Sequence, residues 1–306
     1  MALNFDNDRI KELNMLADTE AICKQGYYEI KGEKLPSLKY RVVLKYNKSE
    51  LEQAVVFMDT RLSAVVNGVD EFTGEDLVLM PLPNNKCAFS CENIDTFAMV
   101  QELVYRGKEK ILALNNASSV HPGGGVRKGS RAQEEDLCRK STLLMSLESD
   151  DAFEYYEYNR GLKNLNGSDA CIISPNVEII KDTDGNNLSD TFICAVLTCA
   201  APKVNRGYNG LNKGQYIELV RNRIYVMLKV SAYMGYRNLV LGAWGCGAFG
   251  NDAKLISNIF YEAITDFKYC GCTIDDLFES INFAVLDRTP DKYNFKEFNR
   301  NFRERM

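Results

Sequence analysis

The stretch Lys110-Ile-Leu-Ala-Leu-Asn-Asn-Ala-Ser-Ser-Val-His-Pro-Gly-Gly-Gly125 changes character part-way along. Residues 110–114 form an apolar run of strand length, whereas Asn115 to Gly125 is too rich in turn formers for regular structure. Beyond the glycines, Ser130 and Gln133 have the S-x-x-Q spacing of a helix capping box. Leu137, Ser141, Leu144 and Met145 continue at helical spacing, so the stretch reads strand, loop, helix.

The same alternation extends outward. Upstream, Asp8 to Gln25 carries Ile10, Leu13, Leu16, Ala17 and Ile22 at helical spacing. Arg41-Val-Val-Leu-Lys-Tyr46 and Ala54-Val-Val-Phe-Met58 read as strands, and Thr96 to Tyr105 as a helix. Downstream, Ala170–Ile173 and Thr191–Val196 are strand-like. A long helix follows in Gly210–Tyr233, with Tyr216, Leu219, Ile224, Met227 and Leu228 facing a core. Asn238–Leu241 predicts a strand, Gly242–Gly250 a glycine-rich loop, Asn251–Thr265 a helix and Ile281–Leu286 a last strand. Strands alternating with helices predict an α/β fold whose strand-end loops build the site.

Composition narrows the function classes. The 306 residues hold 37 Lys+Arg and 42 Asp+Glu, a net charge of −5, with 45% hydrophobic and 26% charged residues. That excludes a disordered, collagen-like or coiled-coil chain. Net acidity without a basic block argues against general DNA or RNA binding. Ten cysteines are too few for a disulfide scaffold. Those set singly in apolar stretches (Cys171, Cys194, Cys199) predict buried thiols in a reducing cytoplasm. Cys270-Gly-Cys272 and Cys87-Ala-Phe-Ser-Cys91 lack zinc-knuckle spacing, and a single histidine, His121, closes off His-rich metal sites; no metal or cofactor is expected. The polar start lacks the pattern of a signal peptide, and no apolar run is long enough to span a bilayer.

Two glycine loops carry the chemistry. Gly242-Ala-Trp-Gly-Cys-Gly-Ala-Phe-Gly250 lies between a strand and a helix, where consecutive amides form an anion site. Gly245, Gly247 and Gly250 spell G-x-G-x-x-G, but the acid a dinucleotide fold wants about 20 residues on is Cys270. A cradle for a diphosphate is the stronger reading and a merely tight turn the bland one. In the first loop, Gly123, Gly124 and Gly125 permit close backbone approach. Gln133-Glu-Glu-Asp136 then opens the following helix. Acids there are favoured by the helix dipole alone, which is the structural alternative to a catalytic role. Neighbouring helical side chains diverge by about 100°, so Glu134 and Glu135 are not expected to share one substrate atom. Neighbouring like charge raises a carboxyl pKa and a helix N-terminus lowers it; the sequence leaves the sign open.

Together these residues resemble the microbial type of poly(ADP-ribose) glycohydrolase, a macrodomain-related family whose signature is three glycines, a short gap and Gln-Glu-Glu. Here Gly123-Gly-Gly125 and Gln133-Glu-Glu135 are separated by Val126 to Ala132. Leu114-Asn-Asn-Ala-Ser-Ser119, Ile173-Ser-Pro-Asn-Val177, Leu197-Thr-Cys-Ala-Ala-Pro202 and Leu241-Gly-Ala-Trp-Gly-Cys-Gly-Ala-Phe-Gly-Asn251 extend the resemblance over nearly the whole chain.

The resemblance implies a macrodomain-like three-layer α/β/α sandwich with a mixed sheet, residues 101–306, preceded by an N-terminal accessory extension, residues 1–100. It implies a glycosidase that cuts ribose–ribose O-glycosidic bonds of poly(ADP-ribose), mainly from the end, and releases ADP-ribose. Glu135 would be the acid/base, Glu134 would hold ribose hydroxyls and Gln133 would fix the pair. Asn115 would bond the distal ribose. Gly123, Gly124, Gly125 and Val126 on one side, and Gly245, Cys246, Gly247, Ala248, Phe249 and Gly250 on the other, would clasp the diphosphate by main-chain amides. Phe249 would pack on the ribose. A monomer acting on the polymer or on ADP-ribosylated protein is implied; a mono-ADP-ribosyl hydrolase and a non-catalytic ADP-ribose reader are the alternatives. Two positions depart from the family pattern: His121, where Asn commonly precedes Pro-Gly-Gly-Gly, and Asn116, where an aromatic is common.

Overall fold

The strand–loop–helix unit around residue 115 forms the middle of a six-stranded sheet. The structure, a computed structural model, describes residues 2–25, 29–30, 33–34, 81–82, 84–162, 164, 166–204 and 207–303. The strands expected at 41–46 and 54–58 lie outside the described residues.

Helix α1 (Ala2–Gln25) precedes a small antiparallel pair, β1 (Glu29–Ile30) and β2 (Glu33–Lys34). Then come β3 (Ala88–Glu92), α2 (Thr96–Tyr105), β4 (Ile111–Asn116), a 3-10 turn at Val126–Lys128, α3 (Gln133–Lys140), α4 (Leu143–Leu147) and α5 (Asp150–Leu162). The second half supplies β5 (Cys171–Lys181), β6 (Asn187–Cys199), α6 (Lys213–Tyr233) and β7 (Asn238–Leu241). It ends with α7 (Ala253–Asp266), α8 (Ile274–Leu277), β8 (Ser280–Ala284) and α9 (Tyr293–Arg303).

Strand order is β3-β8-β7-β4-β6-β5. All neighbours are parallel except β5, which runs antiparallel to β6, so the sheet is mixed as expected. Strand β4 is locked on both sides, with Asn115 opposite Thr198 of β6 and Ala113 opposite Val240 of β7. Alternation along each strand then loads two faces. On one, Leu112, Leu114, Leu197, Leu239 and Phe283 pack with Ile224, Phe260 and Phe298 of α6, α7 and α9. On the other, Ala113, Val196 and Val240 pack with Val100, Leu137, Leu147 and Tyr155 of α2, α3, α4 and α5. Helices on both faces of the sheet make the α/β/α sandwich.

Several boundaries differ from the sequence reading. The helix expected to run through Met145 stops at Lys140, because Ser141 is extended (φ −151°) and bridges to Ile179 of β5. Its hydroxyl donates to the carbonyl of Leu137 at 2.8 Å and accepts from Leu143 N–H, so α4 starts afresh. The Ser130/Gln133 capping box does not form: the N-cap is Ala132, with no side-chain cap, since Gln133 turns to the end of β4 instead. The short edge strand β3 and helices α5 and α9 were not anticipated. Residue 100, the expected end of the extension, lies within α2, and β3 before it pairs with β8.

Helix α1 packs on α3 and the 3-10 turn. Leu16, Thr19, Ile22 and Cys23 are its buried positions, while Ile10 is 54% exposed. Ion pairs also tie it to the segment bearing Gln133-Glu-Glu135, Glu12–Arg139 at 2.7 Å, Glu20–Arg127 at 2.9 Å and Asp8–Arg131 at 3.0 Å. Among the described residues no helix is long and apolar enough to cross a membrane.

Candidate active site

The C-terminal ends of the parallel strands β4, β7 and β8 open on a cleft of about 840 Å³. In open α/β sheets that edge is where ligands sit. Its lining joins both glycine loops with Gln133, Glu134 and Glu135.

Gln133 welds the strand end to the helix start. Its Nε2 donates to the Leu114 carbonyl at 2.7 Å and to Thr96 Oγ1 at 3.0 Å, and its Oε1 accepts from Asn116 N–H at 2.7 Å. The next two residues are both buried, Glu134 at 3% and Glu135 at 7% exposure. Glu134 Oε2 accepts from Ser118 N–H at 2.6 Å, and Glu135 Oε1 from Gly125 N–H at 2.8 Å. The second oxygen of each, Glu134 Oε1 and Glu135 Oε2, has no hydrogen-bond partner in geometry among the described residues. Each carboxyl is thus tethered by one oxygen to the main chain, while its other oxygen is buried without a partner among the described residues.

Burial, and then the charge of Glu135, push the Glu134 carboxyl up to about 8; donors at Ser118, Asn115 and Gly123 pull the other way. For Glu134, desolvation outweighs these opposing donors.

Gly124 explains the triple glycine. It sits at φ +60°, and a Cβ there would stand 2.5 Å from Glu135 Oε1 and 2.9 Å from Glu134 Oε2. Both carboxyls therefore converge on the Gly124 main chain. The divergence expected of adjacent helical residues is offset because side chains of the first turn lean back toward the loop.

The first loop uses most of its own amides. Gly124 N–H donates to the His121 carbonyl at 2.9 Å, Gly125 N–H to Glu135, and Val126 N–H to the Gly123 carbonyl at 3.1 Å. Val126 is 1% exposed in the core, and neither it nor Gly123 lines the cleft. The second loop is different. The N–H groups of Gly247, Ala248 and Phe249 have no acceptor among the described residues, and nothing stands within 4 Å of a Cβ built on Gly247. Gly245, Gly247, Ala248 and Phe249 line the cleft, whereas Cys246 and Gly250 do not. Phe249 is half-buried against the core, and its carbonyl accepts from Val204 N–H at 2.9 Å. Asn115 lies wholly buried beneath the site, with Nδ2 on Thr198 Oγ1 at 3.2 Å and Oδ1 unpartnered.

The two family departures find local roles. His121 is exposed on the cleft rim and donates its N–H to Ser118 Oγ at 3.1 Å. Asn116 hands its N–H to Gln133.

Some residues that shape the site were not anticipated. Asn251 N–H and Nδ2 bond the Gly245 carbonyl at 3.1 and 2.9 Å, Nδ2 also bonds the Pro202 carbonyl at 2.9 Å, and Oδ1 accepts from Tyr216. Gly245, at φ +74°, has room for no Cβ against Ala201 and Asn251, both 2.5 Å away. Ser118 and Thr96 act through bonds to Glu134 and Gln133 that no spacing rule reveals. A buried Asn directly after a glycine loop was the one usable signal, since such a group needs partners.

The family whose sequence model matches the chain is described as microbial-type PARG, catalytic domain, over residues 17–182. No curated protein matches. Among solved structures, the chain is similar to poly(ADP-ribose) glycohydrolase from Thermomonospora curvata bound to the inhibitor ADP-HPD. There identity is 26% and the TM-score 0.78, over 95% of this chain and 99% of that one. It is also similar to poly(ADP-ribose) glycohydrolase from Deinococcus radiodurans in complex with ADP-ribose, at 30% identity and TM-score 0.71, over 84% of this chain and 98% of that one. Fold, glycine loops and the family match over more than half of the chain agree: the chain belongs to the microbial-type poly(ADP-ribose) glycohydrolase catalytic-domain family.

Proposed function

We propose that this chain is a glycosidase that hydrolyses the ribose–ribose O-glycosidic bond of poly(ADP-ribose) and releases ADP-ribose, acting as a monomer mainly from the polymer end. One observation carries the reading. Two buried carboxyls, each with one tethered and one unpartnered oxygen, share a cleft with the free amides of Gly247, Ala248 and Phe249.

The amides suit a diphosphate, since unsatisfied N–H groups of a loop make an anion-binding concavity. That fixes the distal ribose near the glutamates. Glu135 protonates the leaving 2′-oxygen as the bond to the anomeric carbon breaks. The resulting oxocarbenium-like centre is attacked by a water whose proton returns to the Glu135 carboxylate, closing the cycle. Glu134, held neutral near pH 7 by burial, supports the ribose as a hydrogen-bond donor while Ser118 N–H holds its other oxygen. Glycosidases commonly set two carboxyls on opposite sides of the bond; here one glutamate carries both proton transfers.

The test is incubation with poly(ADP-ribose). ADP-ribose release by the wild type, and a loss of about 10²–10⁴-fold in kcat for Glu135→Ala with ADP-ribose binding kept, are expected. Binding of ADP-ribose without turnover would instead identify a reader. Turnover of mono-ADP-ribosylated peptides but not of polymer would identify a mono-ADP-ribosyl hydrolase.

A further inference from the structure

The cleft continues past the glutamates. Sheet order sets β8, β7 and β4 side by side, so the cleft runs from Leu286 after β8, across the free amides after β7, to Glu135 after β4. Beyond Glu135 the wall is the seam between α1 and the 3-10 turn, where a Cβ on Gly129 would meet Arg9 Cγ at 2.7 Å. Two exposed lysines line the cleft there, Lys11 from α1 and Lys128 from the turn, and neither has an ion-pair partner among the described residues. Among the described residues the neighbouring Arg131 pairs only with the exposed Asp8, at 3.0 Å.

The direction of the substrate follows, and it rests on the reading above. With the diphosphate of the unit being cut on the β7 loop and its distal ribose at Glu135, its adenosine extends toward β8. The leaving 2′-oxygen belongs to the next unit, which then lies across Glu135 from the β7 loop, on the side that α1 lines. That unit carries its own diphosphate on the same ribose that holds the leaving oxygen. We infer that Lys11 and Lys128 form a subsite for the diphosphate of the leaving ADP-ribose unit, which makes the chain selective for polymer over singly modified substrates. Main-chain amides bind the unit that is cut, and flexible ammonium groups bind the unit that departs. An exposed cation pair of this kind releases its ligand readily and is screened by salt.

The experiment compares binding of an ADP-ribose oligomer and of ADP-ribose itself to the Glu135→Ala protein, with and without Lys11→Glu and Lys128→Glu. Expected at low salt is an oligomer affinity about tenfold above that of ADP-ribose, abolished by the double reversal and by about 0.5 M salt, with ADP-ribose affinity unchanged. An oligomer advantage that survives the reversal, or no advantage at all, overturns the subsite. ADP-ribose bound equally by all variants with no oligomer advantage leaves the glycohydrolase reading standing and the subsite refuted. An oligomer advantage lost on reversal, in a protein whose wild type never cuts polymer, supports the subsite and refutes that reading.

Discussion

The position a Gly124 Cβ would occupy lies 2.5 Å from Glu135 Oε1, so the glycine and the glutamate compete for one place. Gly124→Ala adds both that collision and the strain of a side chain at φ +60°. Its carboxyl neighbours must move, and a displacement near 1 Å costs on the order of 100-fold in rate. Polymer turnover should fall at least that far while circular dichroism stays native. Undiminished turnover would mean that the carboxyls are not held as described.

Glu134 gives stability a pH dependence of definite sign. The folded chain keeps this proton up to about pH 8, whereas the unfolded chain gives it up near the ordinary value of 4.5. Between those limits the unfolded state binds fewer protons, so stability falls as pH rises. Glu134→Gln, neutral at every pH, removes that slope. Thermal unfolding from pH 4 to 9 should show the variant gaining on the wild type as pH rises. Parallel curves would count against a neutral Glu134.

How much of this was legible beforehand differs by element. The strand at 111–116, the two glycine loops and the acidic helix start could be read from local pattern, because turn formers and apolar periodicity act over a few residues. Gln133 was legible as a site residue but its contacts were not: a capping box and a clamp on β4 use the same side chain, and only the packed strand end decides between them. The break at Ser141 depends on a bridge to Ile179, 38 positions away, which no window contains. Strand β3 is illegible because five residues are too few for a periodicity to stand out, although Phe89 and Cys91 alternate inward against Ser90 and Glu92. The convergence of Glu134 and Glu135 needed the loop's backbone to be in place first.

Asn251→Ala removes the bonds that hold the Gly245 carbonyl, the Pro202 carbonyl and the Tyr216 hydroxyl together. Leaving such buried groups unsatisfied costs about 1–3 kcal/mol. The larger effect should be on the loop amides that follow. Calorimetry is expected to show ADP-ribose affinity falling about tenfold, in line with the 1.4 kcal/mol that such a factor represents. Adenosine, which carries no phosphate, should be indifferent to the change. Equal weakening of both ligands would argue for a general loosening.

The ion pairs of α1 should separate by burial. Arg139 is 1% exposed and Glu12 17%, so Glu12→Ala strands a buried cation and should cost about 3–5 kcal/mol. Asp8 and Arg131 are 56% and 49% exposed, and Asp8→Ala should cost below about 1 kcal/mol. Urea unfolding of the two variants checks the contrast. Equal losses would refute it.

The central place of β4 has a temporal side. Its partners β6 and β7 begin at residues 187 and 238, long after both glutamates have been synthesised. While a ribosome is still making the second half, Glu134 and Glu135 lack the completed sheet beneath them, and the amides of residues 247–249 do not yet exist. Activity therefore arrives all at once, when the last third of the chain docks against a half-finished sheet, and a prematurely terminated product carries the signature residues without the chemistry.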